Sequence, residues 1–220
     1  MRYDDRRAAG RQLAGHLGFL RQRLPVVLGL PRDGVPVAYE VARALDAPLD
    51  VLVVRKLGLP GQPEVGFGAV GEDEVLLLDD GMIARARLTA AERESVLRAE
   101  RAELDRRLRL CRAVREAVPL SGRTVVIVDD GLATGVTAEA ACRIARRRGT
   151  AAVVLAVPVA AEAAVRRLRT AADAVVCPRA SRLLGSVGAW YRDFGQISDA
   201  EVTELLGRAA ASGAQPPRAR

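Results

Sequence analysis

The sequence predicts an α/β chain built on an open, mostly parallel sheet with helices on both faces. Short apolar runs rich in Val, Leu and Ile alternate along the chain with segments of helical periodicity. Those runs are apolar at nearly every position, as strands buried on both faces are. Three of them are followed at once by glycine-bearing polar clusters, and ligands of such sheets bind beyond the carboxyl ends of the strands. With 220 residues, half of them hydrophobic, the chain can build one domain over about 1–210.

Taken in order, Leu13, Leu17, Leu20 and Leu24 recur at helical spacing and predict a first helix over about 4–23. Val26 to Leu30 reads as a buried strand, followed by Pro31-Arg32-Asp33-Gly34 and a helix over about 35–45. Leu49 to Val54 reads as a second strand, ending in Arg55-Lys56. The stretch from Leu57 to Gly71 is long for a connection and reads as a mobile loop. A strand is expected next at Val75–Leu78. Thr89-Ala90-Ala91-Glu92 has the form of a capping box and opens a long helix to about Ala117, striped by Leu97, Leu104, Leu108, Cys111 and Val114. Strands at about 124–129, 152–157 and 174–177 then alternate with helices at about 136–148 and 161–171. A last helix is expected at about 198–208, and a disordered tail over 211–220.

Composition removes several classes of function. No apolar run reaches the ~18 residues of a membrane span, and Met1-Arg2-Tyr3-Asp4-Asp5 lacks the apolar segment of a signal peptide. Cys111, Cys142 and Cys177 are scattered and not at metal-ligand spacing, which suits reduced thiols in a cytoplasmic protein. The single histidine, His16, falls in the first helical pattern, so histidine chemistry is not expected. The formal charge of +7 raises nucleic acid as a partner, but the arginines interleave with acids and read as solvated faces. All basic residues but Lys56 are arginine.

The most informative stretch runs from Val125 to Thr137: a buried strand, two carboxylates at its end, a loop of small residues with two hydroxyls, and a helix start. Thr134 stands where an N-cap would, and the amides of such a helix start favour an anion. Two carboxylates ~4 Å from a phosphate would each cost roughly 4 kcal/mol at an intermediate dielectric. Asp129 and Asp130 therefore call for hydroxyl donors or a cation, and a ribose 5-phosphate supplies the former. A Walker A loop is excluded because the Gly-Lys-Ser/Thr ending is absent. A receiver-type acidic pocket would need a lysine on a later strand, which is absent.

The run Asp129-Asp130-Gly131-Leu132-Ala133-Thr134-Gly135-Val136-Thr137 resembles the phosphoribosyl pyrophosphate (PRPP) loop of type I phosphoribosyltransferases. The resemblance implies that fold, with a small C-terminal hood over about 178–197. It implies that the loop holds the 5-phosphate, through its amides, Thr134 and Thr137, and that Asp129 and Asp130 hold the ribose hydroxyls. Pro31, Arg32 and Asp33 resemble the pyrophosphate loop, where relatives commonly carry glycine in place of Asp33. Asp33 could instead be the N-cap of the next helix in an ordinary turn. Arg55 and Lys56 resemble the pair leading into the catalytic loop of adenine and orotate enzymes, although a surface lysine would look the same. Val187, Trp190 and Tyr191 match the hood that stacks on a base, while the aromatics around them could instead pin the last helix to the sheet.

The activity implied by the resemblance is Mg²⁺-dependent transfer of 5-phosphoribosyl from PRPP to a nucleobase-like acceptor. Lys56, Arg32, Asp129 and Asp130 would be the catalytic group, any Mg²⁺ contact of the two aspartates being indirect. Ala133, where 6-oxopurine enzymes carry aspartate, argues against a hypoxanthine–guanine role and leaves only Glu64 as a weak candidate base. Relatives are often homodimers. The alternative is a PRPP-sensing regulator of transcription or RNA with the same fold.

Overall fold

The computed structural model describes residues 2–212, the side chain of Glu64 excepted. The tail expected over 211–220 thus lies, from residue 213, outside the described residues. Five parallel strands form the central sheet: β1 (Val26–Gly29), β2 (Leu49–Val51), β6 (Thr124–Val128), β7 (Ala152–Ala156) and β9 (Ala174–Val176), in the order β2-β1-β6-β7-β9. Alternate side chains of these strands enter two separate cores. Val27, Val126, Val128 and Val154 pack with α2 (Gly34–Leu45) and α7 (Asp199–Ala211) on one face. Val26, Leu28, Val125, Ile127 and Leu155 pack with α5 (Val136–Arg147) and α6 (Glu162–Leu168) on the other. Burial on both faces is why these strands read as unbroken apolar runs.

Four expectations are revised. The first helical pattern divides into α1 (Arg6–Gly15) and a 3-10 turn (Gly18–Arg23), with the break falling where Gly15 and Gly18 weaken the helix. Leu13, Leu17 and Leu20 are buried, but Leu24 is exposed. The second expected strand ends early at Val51, and Val54–Leu59 forms a separate strand, β3. Leu57 to Gly71, expected as a loop, is mostly an antiparallel hairpin of β3 and β4 (Gln62–Gly71), extended by β5 (Leu76–Leu78). Its five glycines hid the strand pattern, while Leu57 and Phe67 bury it in the core. A short helix, α3 (Asp80–Ala86), was not expected; Asp79 caps it by accepting from the amide of Met82 at 2.8 Å.

The long helix α4 (Ala90–Val114) begins with the expected capping box, both of its bonds being formed. Beyond the sheet, β8 (Val159–Ala161) and β10 (Arg179–Ser181) pair in parallel, and a 3-10 turn at Val187–Trp190 lies within the segment expected as a hood. Among the described residues no helix is long and apolar enough to cross a membrane.

Candidate functional site

The site grows from the end of β6. The chain leaves the strand at Val128, and Asp129 and Asp130 come next. Leu132 then ties the loop to β8, its amide donating to the Val159 carbonyl at 3.0 Å and its carbonyl accepting from the Ala161 amide at 2.9 Å. Ala133 and Thr134 are exposed. Thr134 is not the N-cap of α5; that position belongs to Gly135, at φ +76, and no side chain caps the helix. Glycine takes this left-handed turn without strain, whereas an added Cβ would stand 2.8 Å from Leu168 Cδ1. The first-turn amides of α5 thus have no capping side chain, and with the helix dipole they form a ready site for an anion.

The neighbouring loop comes close to this strand tip. The Leu30 amide donates to the Val128 carbonyl at 2.9 Å, and a Cβ on Gly34 would lie 2.7 Å from that same oxygen and 3.0 Å from Asp129 Oδ1. Only glycine allows this approach. The Pro31–Arg32 peptide in this loop is cis.

Burial governs the charge of the two carboxylates. Asp129 is driven well above the usual carboxylate range by loss of solvent and by the adjacent Asp130, and one hydrogen bond, from the Asp130 amide at 2.9 Å, opposes this. Asp130 is pushed up to about 6 by burial, with Arg6 acting in the opposite direction. Arg6 is the residue that sequence reasoning missed. Its Nε donates to Asp130 Oδ2 at 3.0 Å, its Nη2 to Asp33 Oδ1 at 2.9 Å and its Nη1 to the Gly195 carbonyl at 2.7 Å. It is 5% exposed, and its guanidinium lies 3.9 Å from the centre of the Phe194 ring. The compensating cation that the carboxylates call for is therefore, in part, already supplied by the chain.

Asp33 occupies the position before α2 but makes no side-chain cap bond, because its carboxylate faces Arg6. Arg32 lies 3.9 Å from Asp199 Oδ1 on α7, rather than on the carboxylate pair. Arg55 pairs with Glu100 on α4 at 2.7 Å. The Lys56 stem packs against Gly66 across the hairpin. Pro31 to Asp33, Arg55-Lys56 and the 129–137 loop thus come after three adjacent strands. The side chain of Glu64 lies outside the described residues.

In the hood, Val187 meets Gly131, where an added Cβ would be 2.5 Å from Val187 Cγ1. Trp190 donates from Nε1 to the Leu184 carbonyl at 3.0 Å. Tyr191 does not offer a free stacking face. It is 3% exposed, its hydroxyl donates to the Asp130 carbonyl at 2.5 Å, and its ring lies between Tyr3 (5.5 Å) and Phe194 (5.0 Å). Burial and the nearby Asp130 raise the Tyr191 hydroxyl pKa far above its ordinary value. The aromatics pin the N-terminal segment rather than the last helix: the Tyr3 amide donates to the Trp190 carbonyl at 2.8 Å, and the Arg192 amide to that of Tyr3 at 2.8 Å.

No group of three or more His, Cys, Asp or Glu side chains among the described residues could hold a metal ion. A Mg²⁺ ion here would take most of its ligands from a substrate and water, which is common for that ion.

A family model described as the phosphoribosyl transferase domain matches residues 5–182. Two proteins named as putative phosphoribosyl transferases, from Mycobacterium tuberculosis strains H37Rv and CDC 1551, are each 54% identical over 207 residues, 94% of this chain and 47% of theirs. The chain spans about half the length of the curated relatives it matches. A crystal structure of a Thermus thermophilus protein is similar at 44% identity and a TM-score of 0.78, covering 94% of this chain and 99% of that one.

Proposed function

Because the chain belongs to the phosphoribosyl transferase domain family, we propose that it transfers 5-phosphoribosyl from PRPP to a nitrogen acceptor and releases pyrophosphate. The observation that carries this reading is the uncapped start of α5 in the same loop as the buried Asp130 and its partly buried neighbour Asp129. The loop amides and Thr134 and Thr137 take the 5-phosphate. Asp129 and Asp130 accept hydrogen bonds from the ribose hydroxyls, each bond to a charged acceptor being worth about 1.5–3 kcal/mol. Lys56 on the hairpin, with Arg32 once released from Asp199, neutralises the leaving pyrophosphate. The hairpin of β3 and β4 acts as the lid that keeps water from the reacting carbon.

Asp129 and Asp130 would be the residues to hold a Mg²⁺ ion indirectly, and that ion would supply further charge neutralisation for the leaving pyrophosphate. With Tyr191 buried, the acceptor meets Val187 and the exposed part of Trp190. Ala133 gives no carboxylate near the acceptor, which disfavours 6-oxopurines.

The test is incubation with PRPP, Mg²⁺ and a panel of bases, reading pyrophosphate release. Release with one base identifies the acceptor. PRPP binding without release, in wild type and Lys56→Ala alike, moves the reading to a PRPP sensor. A wild-type protein that gives no calorimetric binding of PRPP refutes it.

A further inference from the structure

The Arg6 guanidinium joins three parts of the molecule. Nε reaches the carboxylate after β6, Nη2 the carboxylate before α2 and Nη1 a carbonyl of the hood, while Phe194 covers one face. Its backbone is held as well. Arg6 opens α1, whose N-cap Asp5 accepts from the Ala8 amide at 2.6 Å, and Tyr3 is tied to Trp190 and Arg192. The rings of Tyr3, Tyr191 and Phe194 stack in series behind it, and the Arg179 guanidinium lies 3.9 Å from the centre of Tyr3 at the far end. Tyr191, expected to carry a base, instead forms with Tyr3 and Phe194 a pillar that ends on Arg6.

We propose that Arg6 is a positioning residue for the sugar site, fixing one oxygen of Asp130 so that the other faces the pentose hydroxyls, and holding the β1–α2 loop beside it through Asp33. This rests on the reading that Asp130 accepts ribose hydroxyls. A free carboxylate at a strand tip can rotate about its χ angles. Asp130 has one oxygen engaged by a planar, buried donor whose other edges are also occupied, so its orientation is set before any ligand arrives. Such preorganisation reduces the ordering cost of binding. The same contact accounts for Asp33. A carboxylate beside a pyrophosphate site is repulsive when bare, and here it is paired with a cation at 2.9 Å. Lysine cannot reproduce the contact, since an ammonium lacks the planar fork that meets three separated acceptors at once.

Binding of ribose 5-phosphate and 2-deoxyribose 5-phosphate, measured by calorimetry, tests this without knowledge of the acceptor. The two probes share the phosphate and differ in a hydroxyl assigned to the carboxylates. Wild type is expected to prefer the ribose form by about tenfold, the value of one hydrogen bond to a charged group. Arg6→Lys and Asp33→Asn are each expected to shrink that ratio, because the ribose form loses more affinity than the deoxy probe does. A role confined to stability would lower the melting temperature and leave the ratio intact. Should Arg6→Lys fail to fold, Asp33→Asn decides, because that side chain is half-exposed. Folded variants that keep the wild-type ratio overturn the inference and leave the functional reading standing. A wild type that binds neither probe, or binds both alike, overturns the sugar-site reading and this inference with it.

Discussion

A carboxylate within the central sheet and a pair just beyond one of its strands are treated in opposite ways. Asp50, in β2, is 2% exposed and fully engaged: Oδ1 accepts from the Val51 amide at 2.7 Å and from Arg112 Nη1 at 2.6 Å, and Oδ2 from the Val118 amide at 2.9 Å. It ties β2 to the end of α4 and the segment beyond. Asp129 and Asp130 stand side by side after β6, both raised in pKa by burial; Arg6 bonds Asp130, while Asp129 accepts from the Asp130 amide. A buried charge that serves the fold is surrounded by donors. A pair left short of donors at a strand tip is held ready for something that brings them.

The sharpest way to test this contrast is to remove Asp50. Asp50→Ala strands Arg112 and two amides, and breaking one side of a buried pair costs about 3–5 kcal/mol. Chemical denaturation should show that loss. A variant as stable as wild type would show that engagement does not separate the two classes. Asp130→Ala should behave in the reverse sense. PRPP affinity should fall by about 1.5–3 kcal/mol for each hydroxyl bond lost, while stability changes less than in Asp50→Ala, because Arg6 retains Asp33 and the Gly195 carbonyl. Calorimetric titration of PRPP checks it, and undiminished binding would refute the ribose assignment.

Asp129→Asn should sharpen the contrast through pH. A carboxylate whose folded pKa is raised favours the folded state when protonated, and that contribution disappears as pH rises through the folded pKa. Wild type is therefore handicapped at neutral pH relative to an asparagine that can still accept from the Asp130 amide. The variant's melting temperature should exceed that of wild type at pH 7.5, with the gap closing as pH falls toward about 4, the ordinary value of an aspartate. A gap that is constant or reversed would mean that Asp129 is not held against its charge.

Much of this arrangement was legible in the residues. Val26–Gly29, Thr124–Val128 and Ala152–Ala156 announced themselves because strands buried on both faces need no polar positions, and Thr89 and Glu92 announced the start of α4 because capping is local. What escaped was non-local or masked. The hairpin over 54–71 was hidden by glycines that its close strand contacts require. Arg6 looked like any arginine on an amphipathic helix, since its partners lie 27 and 124 residues away. The stacking of Tyr191 beneath Tyr3 depends on the first and last parts of the chain meeting, which no local pattern records.

The smallest expected effect separates a helix start that is capped from one that is open. Thr89 caps α4: its hydroxyl accepts from the Glu92 amide at 3.2 Å, and the Glu92 carboxylate accepts from the Thr89 amide at 2.9 Å. Thr134 precedes α5 in a similar sequence position yet is exposed and caps nothing. Thr89→Ala should cost about 1 kcal/mol of stability, as cap removal does. Thr134→Ala should stay within about 0.5 kcal/mol of wild type, as exposed substitutions do. Its effect should appear instead as a severalfold loss of PRPP affinity, from the missing hydroxyl donor to the 5-phosphate. If thermal melts place the two variants together and PRPP binding is untouched in Thr134→Ala, then Thr134 is an ordinary cap in solution. The loop after β6 would in that case be a turn like any other, with no open end kept for an anion.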